Sequence, residues 1–168
     1  MSAPFRVERL AKQRRDGFDS GAPELDRYLL KQAGQDERRR IAACYLLLEN
    51  GADRVAGFYT LSASSVLLDD LPIAAAKRLP RYPSVPTARV GRLAIDQGFQ
   101  GRGLGGALLV DAVQRACSAG LGVHALVVDA RDATAAAFYA HHGFLPLTGT
   151  PRTLFLPLSD AVQKLAGQ

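Results

Sequence analysis

The 168-residue sequence has two cysteines, Cys44 and Cys117, and no run of about 18 or more apolar residues. Two cysteines make neither a disulfide scaffold nor a four-ligand metal site, so no metal is expected. Cys44 falls in a strand pattern and Cys117 in a helix pattern, and both read as small buried hydrophobes. Without a long apolar run, no membrane span is expected. The first stretch, MSAPFRVERLAKQRRDG, lacks the apolar core of a secretory signal, and Glu8 and Asp16 argue against a transit peptide. A cytoplasmic location is the expectation. Internal repeats, linkers and low-complexity tracts are also lacking, and the length favours one domain over residues 1–168. Acids are scarce in one place. Between Lys77 and Arg102 the only one is Asp96.

Bases, in contrast, are plentiful. The formal net charge is +5 and the sequence pI is near 9.6, a balance that suits a polyanionic partner. One group, Lys12, Arg14, Arg15, Arg27, Lys31, Arg38, Arg39 and Arg40, is interleaved with acids and reads as a solvated helical face. The other, Lys77, Arg78, Arg81, Arg89, Arg92 and Arg102, has little compensation and is the better candidate for binding phosphates.

Hydrophobic content of 48% fits a folded globular chain. FRVERL (5–10) predicts a short strand. DSGAPELDRYLLKQA predicts a helix, with Leu25, Tyr28, Leu29 and Gln32 at helical spacing and Pro23 in its first turn. Strands over 41–50 and 54–68, joined by the turn signal NGAD, read as an antiparallel hairpin. A short helix broken by Pro80 and Pro83 leads to a strand over 87–95. Leu104, Leu108, Ala112 and Ala116 recur every four residues, which predicts a helix over 103–119 stopped by Gly120. The near-continuous apolar VHALVVDA that follows reads as a parallel strand buried on both faces. Strand, helix and strand make a right-handed βαβ crossover. A helix over 132–142, then GF (143–144) and RTLFLPL (152–158), supply the closing elements. The class is α+β, an antiparallel hairpin and a βαβ unit in one mixed sheet flanked by helices.

Four glycines, Gly101, Gly103, Gly105 and Gly106, crowd the junction of strand and helix. Bare backbone at a helix start lets a ligand approach amide groups that lack intrahelical partners, where the helix dipole favours an anion. A pyrophosphate is the natural occupant, with Arg102 adding a charge-assisted contact. A P-loop needs Lys-Ser/Thr after its last glycine, and GLGGALL has none. A Rossmann loop needs an acid about 20 positions on; strand 123–128 ends without one, Asp129 lies farther away, and this loop also comes after a hairpin. An acyl-coenzyme A loop remains.

QGRGLG (100–105) matches the Gln/Arg-x-x-Gly-x-Gly loop of the GNAT acetyltransferases. It stands with VGRLAI before it, a long helix and parallel strand after it, and FYAHHGF beyond. More narrowly, FDSGAPELDRYLLKQAGQDERRR, GFYTLSA, LPRYPSVP, GRLAID and VVDARDATAAAFYAHHGF resemble the aminoacyl-tRNA-acetylating GNAT toxins of the TacT/AtaT kind, and the likeness spans essentially the whole chain. The resemblance implies acetyl-CoA as acyl donor. Leu93, Ala94 and Ile95 would pair with its pantetheine arm, while Gln100, Gly101, Arg102, Gly103, Leu104, Gly105 and Gly106 would hold its pyrophosphate. Asp132 and Phe138 would lie near the cofactor, and Tyr139 would be the general acid facing the thioester sulfur. Asp132 departs from the asparagine of many family members and also reads as the N-cap of its helix. Lys31, Arg38, Lys77, Arg78, Arg81, Arg89 and Arg92 would contact tRNA. A ribbon-helix-helix antitoxin and a homodimer are the partners implied.

The residues themselves suit this chemistry. A phenol near pKa 10 stays protonated at pH 7 and can donate to a departing thiolate. The competing reading of Tyr139 is a core aromatic with its hydroxyl bonded to backbone. No general base emerges. His124 reads as a core or edge histidine, and His141 and His142 sit at a helix end. A lysine ε-amine near 10.4 would need a base, whereas an α-amine near 7.7–8.0 is appreciably neutral at pH 7. The lack of a base therefore favours an α-amino substrate. The alternative is a GNAT enzyme acting on a small-molecule, peptide or protein N-terminal amine.

Overall fold

A computed structural model describes residues 4–166, with side chains through Val162. Its strands are β1 (Phe5–Arg9), β2 (Ala43–Glu49), β3 (Val55–Leu67), β4 (Ser84–Ile95), β5 (Ala125–Asp129), β6 (Leu145–Leu147) and β7 (Thr150–Pro157). The helices are α1 (Pro23–Arg27), α2 (Ala33–Arg38), α3 (Ile73–Ala76), α4 (Leu104–Cys117), α5 (Ala133–His141) and α6 (Leu158–Ala166). The sheet is mixed, in the order β1-β2-β3-β4-β5-β7-β6. β4 and β5 run parallel, with Thr87 opposite Ala125, and α4 connects them. The β1–β2, β2–β3, β5–β7 and β6–β7 pairings are antiparallel. The hairpin and the βαβ unit expected from sequence are both present. No helix among the described residues is long and apolar enough to cross a membrane.

The chain forms two compact units, Met1–Ser62 with Gly91–Ala112 and Ala63–Val90 with Val113–Gln168. In the first, Leu29, Leu46, Leu48 and Phe58 are fully buried, and Tyr28, Ala94 and Cys44 pack with them. Burial pushes the Cys44 thiol up to about 12, which leaves it an inert core group. Gly57 is needed here because a Cβ would lie 2.7 Å from Ile95 Cδ1 and 2.9 Å from the Ala94 carbonyl. In the second unit Val85, Val127, Leu147 and Phe155 form the core, with Leu68 and Leu71 beside them.

Three details differ from the sequence expectations. The first helical region is longer, running from Pro23 to Arg38 with a π turn, Tyr28–Gln32, between α1 and α2. The Arg15 guanidinium donates to the Leu29 carbonyl at 2.8 Å, a competing partner for an oxygen inside the widened turn. Strand β7 ends at Pro157, and the residues after it form α6, which the strand reading of RTLFLPL concealed. Cys117 is exposed, not buried.

Candidate active site

β4 leads into the glycine loop through Asp96, which is 3% exposed. Its two oxygens accept hydrogen bonds from the Asp19 amide (3.0 Å) and the Gly98 amide (2.8 Å), and Arg54 lies 3.4 Å away. The Gln97 amide donates to the Asp19 carbonyl at 2.8 Å. The side chain of Gln100 donates to the Ser20 carbonyl (3.1 Å) and the Ile95 carbonyl (2.9 Å). Gln100 is thus tied to protein backbone on both sides of the loop's base. Phe99 is buried, with the guanidinium groups of Arg54 and Arg102 about its ring. Sequence reading saw Asp96 only as a lone acid in a basic stretch. The missed signal is an acid after an apolar strand and two residues before a glycine, the pattern of a side-chain cap on a turn.

Beyond this anchored base the backbone is bare. Gly101 and Gly103 have φ of +79° and +75°, and a Cβ on either would meet nothing within 4 Å. The Ala107 amide donates to the Gly103 carbonyl at 3.2 Å, so Gly103 opens α4. The amides of Leu104, Gly105 and Gly106 then stand in the first turn without intrahelical acceptors. Arg102 is exposed beside them. An open cradle of unpaired N–H groups with one cation fits a pyrophosphate. At the end of β4, Leu93 and Ile95 are half-buried and Ala94 is buried.

In the second unit, Asp132 caps α5, its Oδ1 accepting from the Ala135 amide at 2.8 Å. Tyr139 lies two turns along, 7% exposed, with the rings of Phe138 and Phe144 edge-on at 5.2 and 5.5 Å. Burial pushes its phenol up to about 12, which keeps it protonated at neutral pH. Phe138 is half-buried against His142, whose Nδ1 is 2.9 Å from the Phe138 carbonyl. His141 is exposed in the last turn of α5. His124 is half-buried and carries β5's first backbone bonds, to Pro86 and from Leu158.

The basic residues divide in a way their spacing did not indicate. Lys77, Arg78 and Arg81 are exposed after α3. Arg89 is held by Asp129 and lies 3.4 Å from Ser64 Oγ, while Thr153 donates to the same aspartate at 2.8 Å. The expectation that this stretch has little compensation therefore fails at Arg89, because β5 brings an acid from 40 residues away. Arg92 stacks on the Tyr28 ring, 3.6 Å from its centroid. Arg92 and Lys31 share a cleft of about 340 Å³ with Glu24, Leu25, Arg27, Tyr28 and Gln32. Arg38 is exposed at the end of α2, its guanidinium over Gly34 near that of Arg15.

Known proteins share this fold. The sequence model of the acetyltransferase (GNAT) domain matches residues 42–146. A protein of Mycobacterium tuberculosis (strain ATCC 25618 / H37Rv) named tRNA-acetylating toxin is 38% identical over 146 residues, covering 86% of each chain. Among solved structures, AtaT complexed with acetyl-methionyl-tRNAfMet superposes with a TM-score of 0.87 at 31% identity, over 96% of this chain and 98% of that one. A mutant AtaT toxin bound to the C-terminus of the antitoxin AtaR and acetyl-CoA gives 0.81 at 29% identity, over 99% and 100%. With its glycine-opened α4, its parallel β4–β5 pair and these matches, the chain belongs to the GNAT acetyltransferase family.

Proposed function

We propose that this chain, one GNAT domain over residues 1–168, transfers the acetyl group of acetyl-CoA to the α-amine of aminoacyl-tRNA and so blocks translation. The observation that carries the reading is the 38% identity, over 86% of the chain, to a tRNA-acetylating toxin. AtaT, whose structure holds acetyl-methionyl-tRNA, supports it. Acetyl-CoA supplies an activated acyl group as a thioester.

The chain's own residues do the rest. The amides of Gly103 to Gly106 and the Arg102 guanidinium hold the pyrophosphate, and the backbone of Leu93, Ala94 and Ile95 aligns the pantetheine arm. Gln100 positions the loop from beneath. Tyr139 would give its proton to the sulfur as the amine's C–N bond forms and the thioester C–S bond breaks, and the proton lost by the amine nitrogen would return to the phenolate through solvent. Its raised pKa holds that proton in place until it is needed. An α-amine near pKa 7.7–8.0 is neutral often enough to attack without a dedicated base. Lys31, Arg38, Lys77, Arg78, Arg81 and Arg92 attract the phosphate backbone, with Arg89 shared with Asp129.

A toxin of this kind acts in the cytoplasm, where charged tRNA is found. AtaT's complex with AtaR supports a small antitoxin as partner, here of the ribbon-helix-helix type, acting on a homodimeric toxin. The test is incubation with acetyl-CoA and mixed charged tRNA, followed by mass analysis of the released aminoacyl adenosines. N-acetylated aminoacyl adenosines are the expected product. Turnover with small amines but none with charged tRNA would overturn the reading.

A further inference from the structure

The cleft beside the π turn has more order than a solvated basic face requires. Phe58 and Tyr28 stack with their planes 16° apart, and Arg92 lies over the Tyr28 ring, 3.6 Å from its centroid. The layers are pinned. Tyr28 donates its hydroxyl to Asp36 at 2.8 Å, and Gln32 donates to the other oxygen of Asp36 at 3.0 Å. The Arg92 amide donates to Thr60 Oγ1 at 3.1 Å, which fixes the root of its side chain on β4. Two buried rings thus carry an exposed, planar cation as the outermost layer. Arg92 borders the cleft of about 340 Å³, where Lys31 and Arg27 outnumber the one acid, Glu24.

Such a surface suits a base. Guanidinium planes and aromatic rings accept unstacked nucleobases, while a nearby ammonium suits the adjoining phosphate. The cleft has room for a single nucleotide, and cavities of this size bind small ligands. Arg92 also lies next in sequence to Leu93, Ala94 and Ile95, the segment assigned to the pantetheine arm. A nucleotide here would be the one nearest the acyl acceptor.

We propose that this cleft takes the 3′-terminal base of charged RNA, stacked on the outer face of Arg92. The proposal rests on the functional reading above, since the aminoacyl ester is carried by that terminal ribose. Arg92 is then a positioning residue, setting the distance from base to amine.

The test uses the full chain, acetyl-CoA and RNA minihelices charged chemically with one amino acid, with the 3′-terminal base either present or replaced by an abasic ribose. Wild type is expected to lose roughly 5- to 100-fold in kcat/KM on the abasic RNA. Arg92→Lys keeps the charge and removes the plane, so it should acetylate both RNAs within about twofold of each other, near the wild-type rate on the abasic one. Calorimetry with acetyl-CoA checks that the variant is folded. Equal wild-type rates on the two RNAs overturn the proposal and leave the functional reading intact, as does a full abasic penalty retained by Arg92→Lys. If wild type binds acetyl-CoA and acetylates neither RNA, the functional reading itself falls.

Discussion

Helices α4 and α5 begin in opposite ways. The first turn of α4 is opened by glycine, carries no side chain over its amides and has Arg102 beside it. The first turn of α5 is closed by its own carboxylate, with Asp132 bonded to the Ala135 amide at 2.8 Å. The dipole is alike at both ends, yet only the open one can receive an anion, because a fixed carboxylate occupies and repels at the other. Helix α4 therefore offers its terminus, whereas α5 offers its body, where Tyr139 sits in a desolvated aromatic setting. The same distinction explains Asp96. It is a second capping carboxylate, but it lies beneath the loop and leaves the amides above it bare.

The sharpest break of this contrast is at Tyr139. Tyr139→Phe keeps the ring packing and should lower kcat by about 10²- to 10⁴-fold while acetyl-CoA affinity holds, measured by turnover and calorimetry. The pH dependence follows from its folded pKa near 12 against about 10 in the unfolded chain. The native state keeps the proton through pH 10, so wild-type kcat should show no fall at the pH where an ordinary tyrosine ionises. Stability from this group is full below pH 10 and is lost as pH rises towards 12.

Next in size is the open helix start. Gly103→Val combines a strained φ of +75° with a branched side chain over the amides, and it should weaken acetyl-CoA binding by about tenfold or more. Calorimetry on the folded variant checks it, and unchanged affinity would remove the phosphate assignment. Asp96→Asn should act through the loop and the fold together. The acid's three contacts lose their charge, so the melting temperature drops and KM for acetyl-CoA rises severalfold more than kcat falls. The smallest effect belongs to the closed helix start. Asp132→Ala should cost about 1 kcal/mol of stability, seen in denaturant unfolding, with acetyl-CoA affinity changed less than threefold. A large loss of affinity there would erase the difference between the two helices.

Much of this was readable along the chain because it is local. A turn signal between two strands placed β2 and β3, a period-four pattern placed α4, an apolar run placed β5, and GRGLGG announced an exposed turn before a helix. Where the reading slipped, a distant partner was responsible. No spacing rule tells that Arg15 reaches the Leu29 carbonyl to support a π turn, or that Asp129 meets Arg89 across parallel strands. The C-terminal helix was hidden because LFLP is strand-like and α6 begins at once after it.

By itself, then, the sequence determined the class of fold, the glycine-opened helix start and the tyrosine two turns into α5, since each rests on short-range backbone geometry and on the chemistry of one residue type. Tertiary structure decided what those groups experience. Burial raised the Tyr139 phenol, and Gln100 turned its amide to the backbone beneath the loop. It also sorted bases that lie close along the chain, giving Arg89 an acid and Arg92 an aromatic ring. Electrostatics and stacking act through space over a few ångströms, and only the folded chain sets which side chains come that near.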